Sequence, residues 1–563
     1  MITNETNIKQ ILEQLNVNLK SIVDEKIKAT ILILFNMIED LSLTIRKQQQ
    51  EIQRLRDENN ILKGEQGKPN IKPNKKKSHD DFSSEKERKK AEDSPKQKRG
   101  TKNDKIKIDR EQKCRVDRSI LPPDAEFKGY ATVIVQDLKI GTDNVEFQKE
   151  VFYSPSQKKT YMADLPPGYE KEYGPTVKAI SLILKNVGNM SAPKILEFLH
   201  KVKIHISAGT LSNILIKDKE QFHQEKDELF RAGLESTDHQ RIDDTLARVN
   251  GENHNTHVIS SPFYTAYFTT EKRNRLTILE ILLGSKELKY RINNETFKLL
   301  EQLRVARKYM EKLKKLESDK EFEKEKFEAL LSEHLPELKK RSKNRILEAA
   351  AISYYHSIIG YPVVQVFLCD DAPQFKLLTK ELALCWVHDG RHYKKLQPVV
   401  PYNVKLLEEF RNRFWDYYRR LLEYKSDPSD EKAKLLSDEF DILFSTKTGY
   451  KQLDDRISKT KAKKECMLLV LKYPELPLHN NGSELEVRVA VRKRDVSLHT
   501  MTEEGTKAND TFLTITQTCK KLGVNAYDYI FDRISERFNL PSLAQLIRTK
   551  AMEKEAIKSK GPP

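Results

Sequence analysis

The sequence predicts a multidomain chain of mixed α/β and α class, and three observations carry that prediction. Its 563 residues exceed what one hydrophobic core can organise, so several folded units in series are expected. A four-three apolar repeat near the N-terminus reads as a coiled coil. Beyond residue 240, short apolar runs alternate with helical patterns, as in an α/β unit.

In residues 1–63 the seam places Ile38, Ile45, Ile52 and Asn59 at one core position and Leu34, Leu41, Gln48, Leu55 and Leu62 at the other. Ile at a with Leu at d favours a parallel two-stranded coil, and a lone Asn fixes its register, so a homo-oligomer is expected. The alternative is one amphipathic helix packed on its own chain. Residues 64–107, with KPNIKPNKKK and SPKQKRGTKNDKIK, have almost nothing to bury. They read as a basic disordered linker, serving either as a solvated tether or as a salt-sensitive arm on phosphate.

Residues 108–170 read as a small β-rich module, because YATVIVQDL, VEFQKEVFY and KKTYMA alternate between turn residues. Three helical patterns follow at 176–186, 192–202 and 208–217 within a segment 171–235. They look like a helix-turn-helix whose last helix would present Ser207, Thr210, Ser212 and Asn213 to a major groove. Residues 236–375 and 476–535 read as the α/β core, carrying a long charged helical insert at about 276–348. Residues 376–475 read as a helical insertion and 536–563 as a C-terminal tail.

Lys plus Arg exceed Asp plus Glu by 101 to 84, and the resulting excess suggests a polyanionic partner. MITNETNIKQ does not read as a secretory signal, and no apolar run is long enough for a membrane span. The five cysteines are scattered without a pairing pattern, as expected of a reduced cytoplasmic protein.

Three acids stand out by placement: Asp243 within a strand, Asp370 at the end of VVQVFLC, and Glu484 in the first turn of a helix opened by NNGS. Together they could form an all-oxygen site for Mg²⁺ or Mn²⁺, where two ions clamp the attacking and leaving oxygens of a phosphoryl displacement. Asp244 and Asp371 are adjacent rivals; strand residues alternate faces, so only one of each pair can point into such a site. The cluster Cys385, Trp386, His388, Arg391, His392 and Tyr393 reads first as packing. If it acts directly, Arg391 and the aromatics would grip a DNA backbone or a flipped base.

At these residues the chain resembles the insertion-sequence sixty-six family of bacterial transposases. The resemblance runs through IDDT, CDDAPQF, CWVHDGRHY, HNNGSELEVR and TFLTITQTCKKLGVNAYDYI. It implies a ribonuclease-H-like catalytic core interrupted by helical insertions, with Asp243, Asp370 and Glu484 as the catalytic and metal-binding triad of a DDE-type transposase. It also implies two divalent ions, element ends and target DNA as partners, Arg391 and Arg488 as DNA contacts, accessory transposition proteins, and a bacterial, nucleoid-associated location. The chain departs from the family pattern at His479, where Asp is usual, and at Leu485, where Arg is usual. Cys114 stands alone where many relatives carry a Cys-rich zinc module, so no zinc site is expected there. The expected activity is strand cleavage and strand transfer, with a catalytically inactive dimeric DNA-binding relative as the alternative. A coiled-coil scaffold without nucleic acid would leave the basic excess unexplained.

Overall fold

A computed structural model describes residues 22–63, 107–122, 125–128, 130–169, 172–316 and 319–559. The expected basic linker lies outside these residues, except for Lys107. Contacts divide the chain into two compact units. One comprises Met1–Lys75, Leu165–Ile195 and Ala208–Pro563; the other comprises Lys76–Asp164 and Leu196–Ser207.

The smaller unit corrects the expectation of a small antiparallel sheet. Among its described residues there is one hairpin, β1 (Val151–Ser154) with β2 (Lys159–Met162), closed by a turn in which Lys158 takes φ 48°. The YATVIVQDL segment forms no strand, and Tyr130, Val133, Val135 and Leu138 are all exposed. Alternation supplies an apolar face, but a strand persists only when a second layer covers that face.

In the larger unit, α1 (Glu25–Leu62) is a single helix of 38 residues. Three helices, α2 (Pro175–Asn186), α3 (Ala192–Lys201, which belongs to the smaller unit from Leu196 onward) and α4 (Ala208–Ile216), occupy the expected helix-turn-helix segment, and α5 (Glu220–Glu235) follows. A five-stranded mixed sheet then forms from β3 (His239–Val249), β4 (Glu252–Ser260), β5 (Thr265–Thr270), β8 (Val366–Cys369) and β9 (Glu381–Leu384), in the order β5-β4-β3-β8-β9. The first three strands are antiparallel, whereas β8 and β9 run parallel to β3. Asn250 and Gly251 link β3 to β4 with φ values of 49° and 83°, the paired positive φ that a two-residue hairpin turn requires and that Asn-Gly supplies at low cost.

Residues 275–357, which include the expected helical insert, are mostly helical. They fold as α6 (Arg275–Leu283), α7 (Asn294–Gln302), α8 (Arg307–Lys314), α9 (Lys324–His334) and α10 (Lys340–Ser357), with a short pair β6 (Tyr290–Arg291) and β7 (Glu321–Phe322) between them. Local caps divide the segment: Asn274 accepts from Thr277 N–H, and Asn293 forms a capping box with Thr296. Burial of Leu279, Leu282, Phe297, Leu300, Phe327 and Ile346 then gives each piece an inner face.

Beyond β9 come α11 (Trp386–Lys394), α12 (Pro401–Ser426), α13 (Asp430–Leu443), α14 (Lys451–Lys461) and the short α15 (Lys464–Met467). They gather around the fully buried Trp386, whose ring meets Phe414, Tyr417 and Phe440. Here α1 docks on its own chain. The buried Glu39 carboxylate accepts from the N–H groups of Val399 and Val400 at 3.0 Å and from Asn403 Nδ2 at 3.1 Å, and Ile38 packs on the two valines. The carboxylate thereby occupies the N-terminus of α12, where the helix dipole favours negative charge. The rest of the heptad seam stays open, with Leu41, Ile45, Ile52 and Leu55 exposed.

The chain ends in α16 (Asn481–Ser497), α17 (Glu503–Leu522), α18 (Ala526–Ile534) and α19 (Leu543–Ser559). Helix α17 covers the free edge of β5: Asp510 accepts from Thr269 N–H, Thr514 from Tyr267 N–H and Thr518 from Thr265 N–H, at 2.6, 3.0 and 3.2 Å. Four helical residues rise roughly 6.0 Å and two strand residues roughly 6.6 Å, so the acceptors keep pace with alternate donors. Helices α2 and α4 also pack against α17. Among the described residues no helix is long and apolar enough to cross a membrane.

Candidate active site

The sheet sets the positions of two acids. Parallel pairing of β3 with β8 matches His239 to Val366 and Arg241 to Leu368. Carried two residues further, this register sets Asp243 level with Asp370, the residue that follows β8. Residues level on adjacent parallel strands project to the same side.

Asn480 places the third acid. It precedes α16, donates its side-chain N–H to the Ile242 carbonyl at 3.2 Å, and sends its backbone N–H to Cys385 Sγ at 3.2 Å. Cys385 in turn donates its backbone N–H to Cys369 O at 3.1 Å, and Trp386 donates to Leu478 O at 2.9 Å. The residues before Asp243, Asp370 and Glu484 are thus stitched together through Cys385 and Asn480. Close approach is also built in at Gly482, where a β-carbon would overlap the buried Arg241 guanidinium.

Burial pushes the Asp243 carboxyl up to about 7; a hydrogen bond from Asp244 N–H opposes this, while the charges of Asp370, Asp244 and Glu484 add to it. Glu484 faces the other way electrostatically. Arg391 donates to both its oxygens, at 2.9 and 3.2 Å, and His388 Nε2 lies 3.3 Å from Oε1. Burial, and the nearby Arg391 after the opposing pull of Glu484, holds His388 below the ordinary histidine range. His479 is pushed down to about 4 by burial and by Arg241, so it is neutral at pH 7.

The rival acids are engaged elsewhere. Asp244 pairs with Arg273 at 2.6 Å and accepts from Gln374 at 2.9 Å. Burial alone would raise Asp371, but hydrogen bonds from Lys376 and Lys463 hold it below the usual carboxylate range. A cleft of about 510 Å³ opens beside Asp370, lined by His388, Arg391, Lys395 and Lys463.

Carboxylate oxygens are the donors that hard divalent cations prefer. Asp243 and Asp370 fit that role by position, whereas Glu484 is drawn to Arg391. Among the described residues no three His, Cys, Asp or Glu side chains lie within reach of a single ion.

Of the remaining sequence-predicted positions, Ser207 is exposed; Ser212 and Asn213 are exposed on α4, with Thr210 half-buried; and Arg488 is exposed on α16, one turn beyond Glu484. Arg391 is bonded to Glu484. Asn480 was read only within the HNNG motif, and His388 within a cluster read first as packing; their contacts with Ile242 and Glu484 were not foreseen.

The fold is a mixed α/β body around a central mixed sheet, with an acidic group at the carboxyl end of β8. Residues 360–508 match the model of the Transposase IS66 family, a span that contains Asp370, the Cys385 cluster and Glu484. The chain is also 33% identical over 327 residues to the "Uncharacterized protein y4jO" of Sinorhizobium fredii (strain NBRC 101917 / NGR234), covering 57% of this chain and 100% of that protein. The chain belongs to the IS66 transposase family.

Proposed function

We propose that the chain is a DDE-type DNA transposase, cleaving DNA at the ends of its element and joining the freed 3′-hydroxyl to target DNA. The observation that carries this reading is the strand register that sets Asp243 beside Asp370, with Glu484 opening the helix tied to the same strand. The sheet order, three antiparallel strands continued by two parallel ones, supports a ribonuclease-H-like core into which residues 376–475 are inserted.

In this reading Asp243, Asp370 and Glu484 hold Mg²⁺ or Mn²⁺, which when bound supplies charge neutralisation at the attacking and leaving oxygens. Asp243 presents its carboxylate from β3 and Asp370 from the residue that follows the adjacent β8, so strand pairing brings the two to the same level. Asn480 holds the start of α16 against β3 and keeps Glu484 near them. Arg391 leaves Glu484 as the site assembles and then faces the DNA backbone, where its two donors suit phosphate.

DNA affinity in this reading resides in residues 64–107, in the helix-turn-helix with Ser207, Thr210, Ser212 and Asn213, and in Arg391 and Arg488. The open seam of α1 joins two copies, and accessory proteins of the element act alongside. Incubation with Mn²⁺ and duplex carrying the element ends tests the proposal: it predicts release of a 3′-hydroxyl end, and an uncut duplex that is nevertheless bound would favour the inactive DNA-binding relative.

A further inference from the structure

A second cavity, of about 350 Å³, lies along β3 beyond the acids, between α2, α4, α16 and the start of α17. Ala247 on its wall is four residues from Asp243, or roughly 13 Å along a strand. The segment after α16 closes one side: Thr500 runs beside the end of β3, donating to Arg248 O at 3.3 Å and accepting from Asn250 N–H at 2.8 Å.

The lining has one sign of charge. Lys185, Lys493, Arg248 and Arg494 contribute to it, and no Asp or Glu does. Lys493 is buried and donates to Asn186 Oδ1, and Lys185 donates to Ser497 Oγ at 3.1 Å; neither contact supplies a negative charge. Asp510, the carboxylate that acts on Lys493 electrostatically, is itself bound by Thr269 and faces Lys226. Burial and the neighbouring Lys185 push Lys493 down to about 7. Two ammonium groups held close in a cavity without a carboxylate are costly, and an anion would offset that cost. Leu246, Leu498, Phe512 and Leu513 give the cavity apolar lining as well.

We propose that this cavity binds one nucleotide unit of a DNA strand, with the phosphate on Lys185 and Lys493 and the base against the apolar lining. Its volume lies within the roughly 300–1,000 Å³ of small-molecule sites, and taking up an unstacked base is how proteins read a strand outside the helix. Exposed Arg248 stands at the mouth, where the strand would continue. The choice of DNA as the source of that unit rests on the proposed function.

The test is binding of three probes to the full chain, by calorimetry at physiological salt: a single-stranded tetranucleotide, a deoxynucleoside monophosphate and inorganic phosphate. The tetranucleotide should bind at least about tenfold more tightly than phosphate, and Lys493→Met or Lys185→Met should each weaken it about tenfold or more, as loss of a charged contact does. Met501→Trp, at an exposed position in the lining, narrows the cavity without touching the core or the helix-turn-helix and decides the matter should Lys493→Met fail to fold. Equal affinity of wild type and Met501→Trp, or equal affinity for tetranucleotide and phosphate, overturns the proposal. A mononucleotide that binds as tightly as the tetranucleotide overturns the strand as source. Tetranucleotide binding by a chain that never cuts DNA supports this site while the proposed function fails; cutting without tetranucleotide binding overturns this site alone.

Discussion

Asp243 on β3 and Asp370, the residue that follows β8, stand level by the register that pairs Arg241 with Leu368, 127 positions apart in sequence. A slip of that pairing would turn every side chain of the strand to the other face, so the central sheet holds the two carboxylates in register. The pair brings like charge together in a partly buried place, and the protein shows the effect at Asp243.

Stability should fall as pH rises through neutrality. Asp243 titrates near 7 in the folded chain and near roughly 3.9 unfolded. The folded state therefore holds the extra proton between those values, and the stabilisation present below about 4 is lost as pH climbs through about 7. Asp243→Asn should flatten this slope and stabilise the metal-free chain at pH 8 by on the order of 1 kcal/mol or more. Melting curves from pH 5 to pH 8 check it; parallel curves for the two proteins contradict it.

Asn480→Ala removes the bond to the Ile242 carbonyl while leaving the backbone N–H on Cys385. The buried carbonyl loses its side-chain donor, so urea denaturation should show a loss of about 1–3 kcal/mol. Strand cleavage should fall further than stability explains, since Glu484 is then less firmly placed.

If Glu484 holds a cation as proposed, Arg391, which bonds both its oxygens, competes for it. Arg391→Ala should tighten Mn²⁺ binding a few-fold, in keeping with the modest worth of a half-exposed pair, about 1 kcal/mol or less. Calorimetry with Mn²⁺ on the DNA-free chain measures this, and unchanged affinity means the contact is not competitive.

The open part of the α1 seam should hold two copies together. Sedimentation of the full chain should give a dimer, and Ile52→Lys combined with Leu55→Lys should give a monomer, because charges at a and d positions face each other across the seam. A monomeric wild type at micromolar concentration rules the coil out.

Much of this was legible in the sequence where a pattern is local. The heptads marked α1, the run VVQVFLC marked β8, and NNGS marked the start of α16. Contacts between distant residues were not legible: Asn480 on Ile242, Glu39 on Val399, and the Asp510, Thr514 and Thr518 row on β5 all bridge more than 200 positions. The Glu39 contact also shows that one face of α1 serves its own chain while the seam remains open. Residues 275–357 were legible as helical, but their charge density masked the caps at Asn274 and Asn293 that split them into short helices. The stretch before the β1 hairpin was misread because alternation promises a sheet only when something covers it.

In the proposed mechanism Asp243, Asp370 and Glu484, rather than their neighbours, carry cleavage. Strand cleavage of duplex bearing the element ends, in Mg²⁺, should be abolished in Asp243→Ala, Asp370→Ala and Glu484→Ala with duplex binding intact. Asp244→Ala and Asp371→Ala, which lose only their contacts with Arg273, Gln374, Lys376 and Lys463, should retain activity. Cleavage that survives in any of the first three would contradict the account.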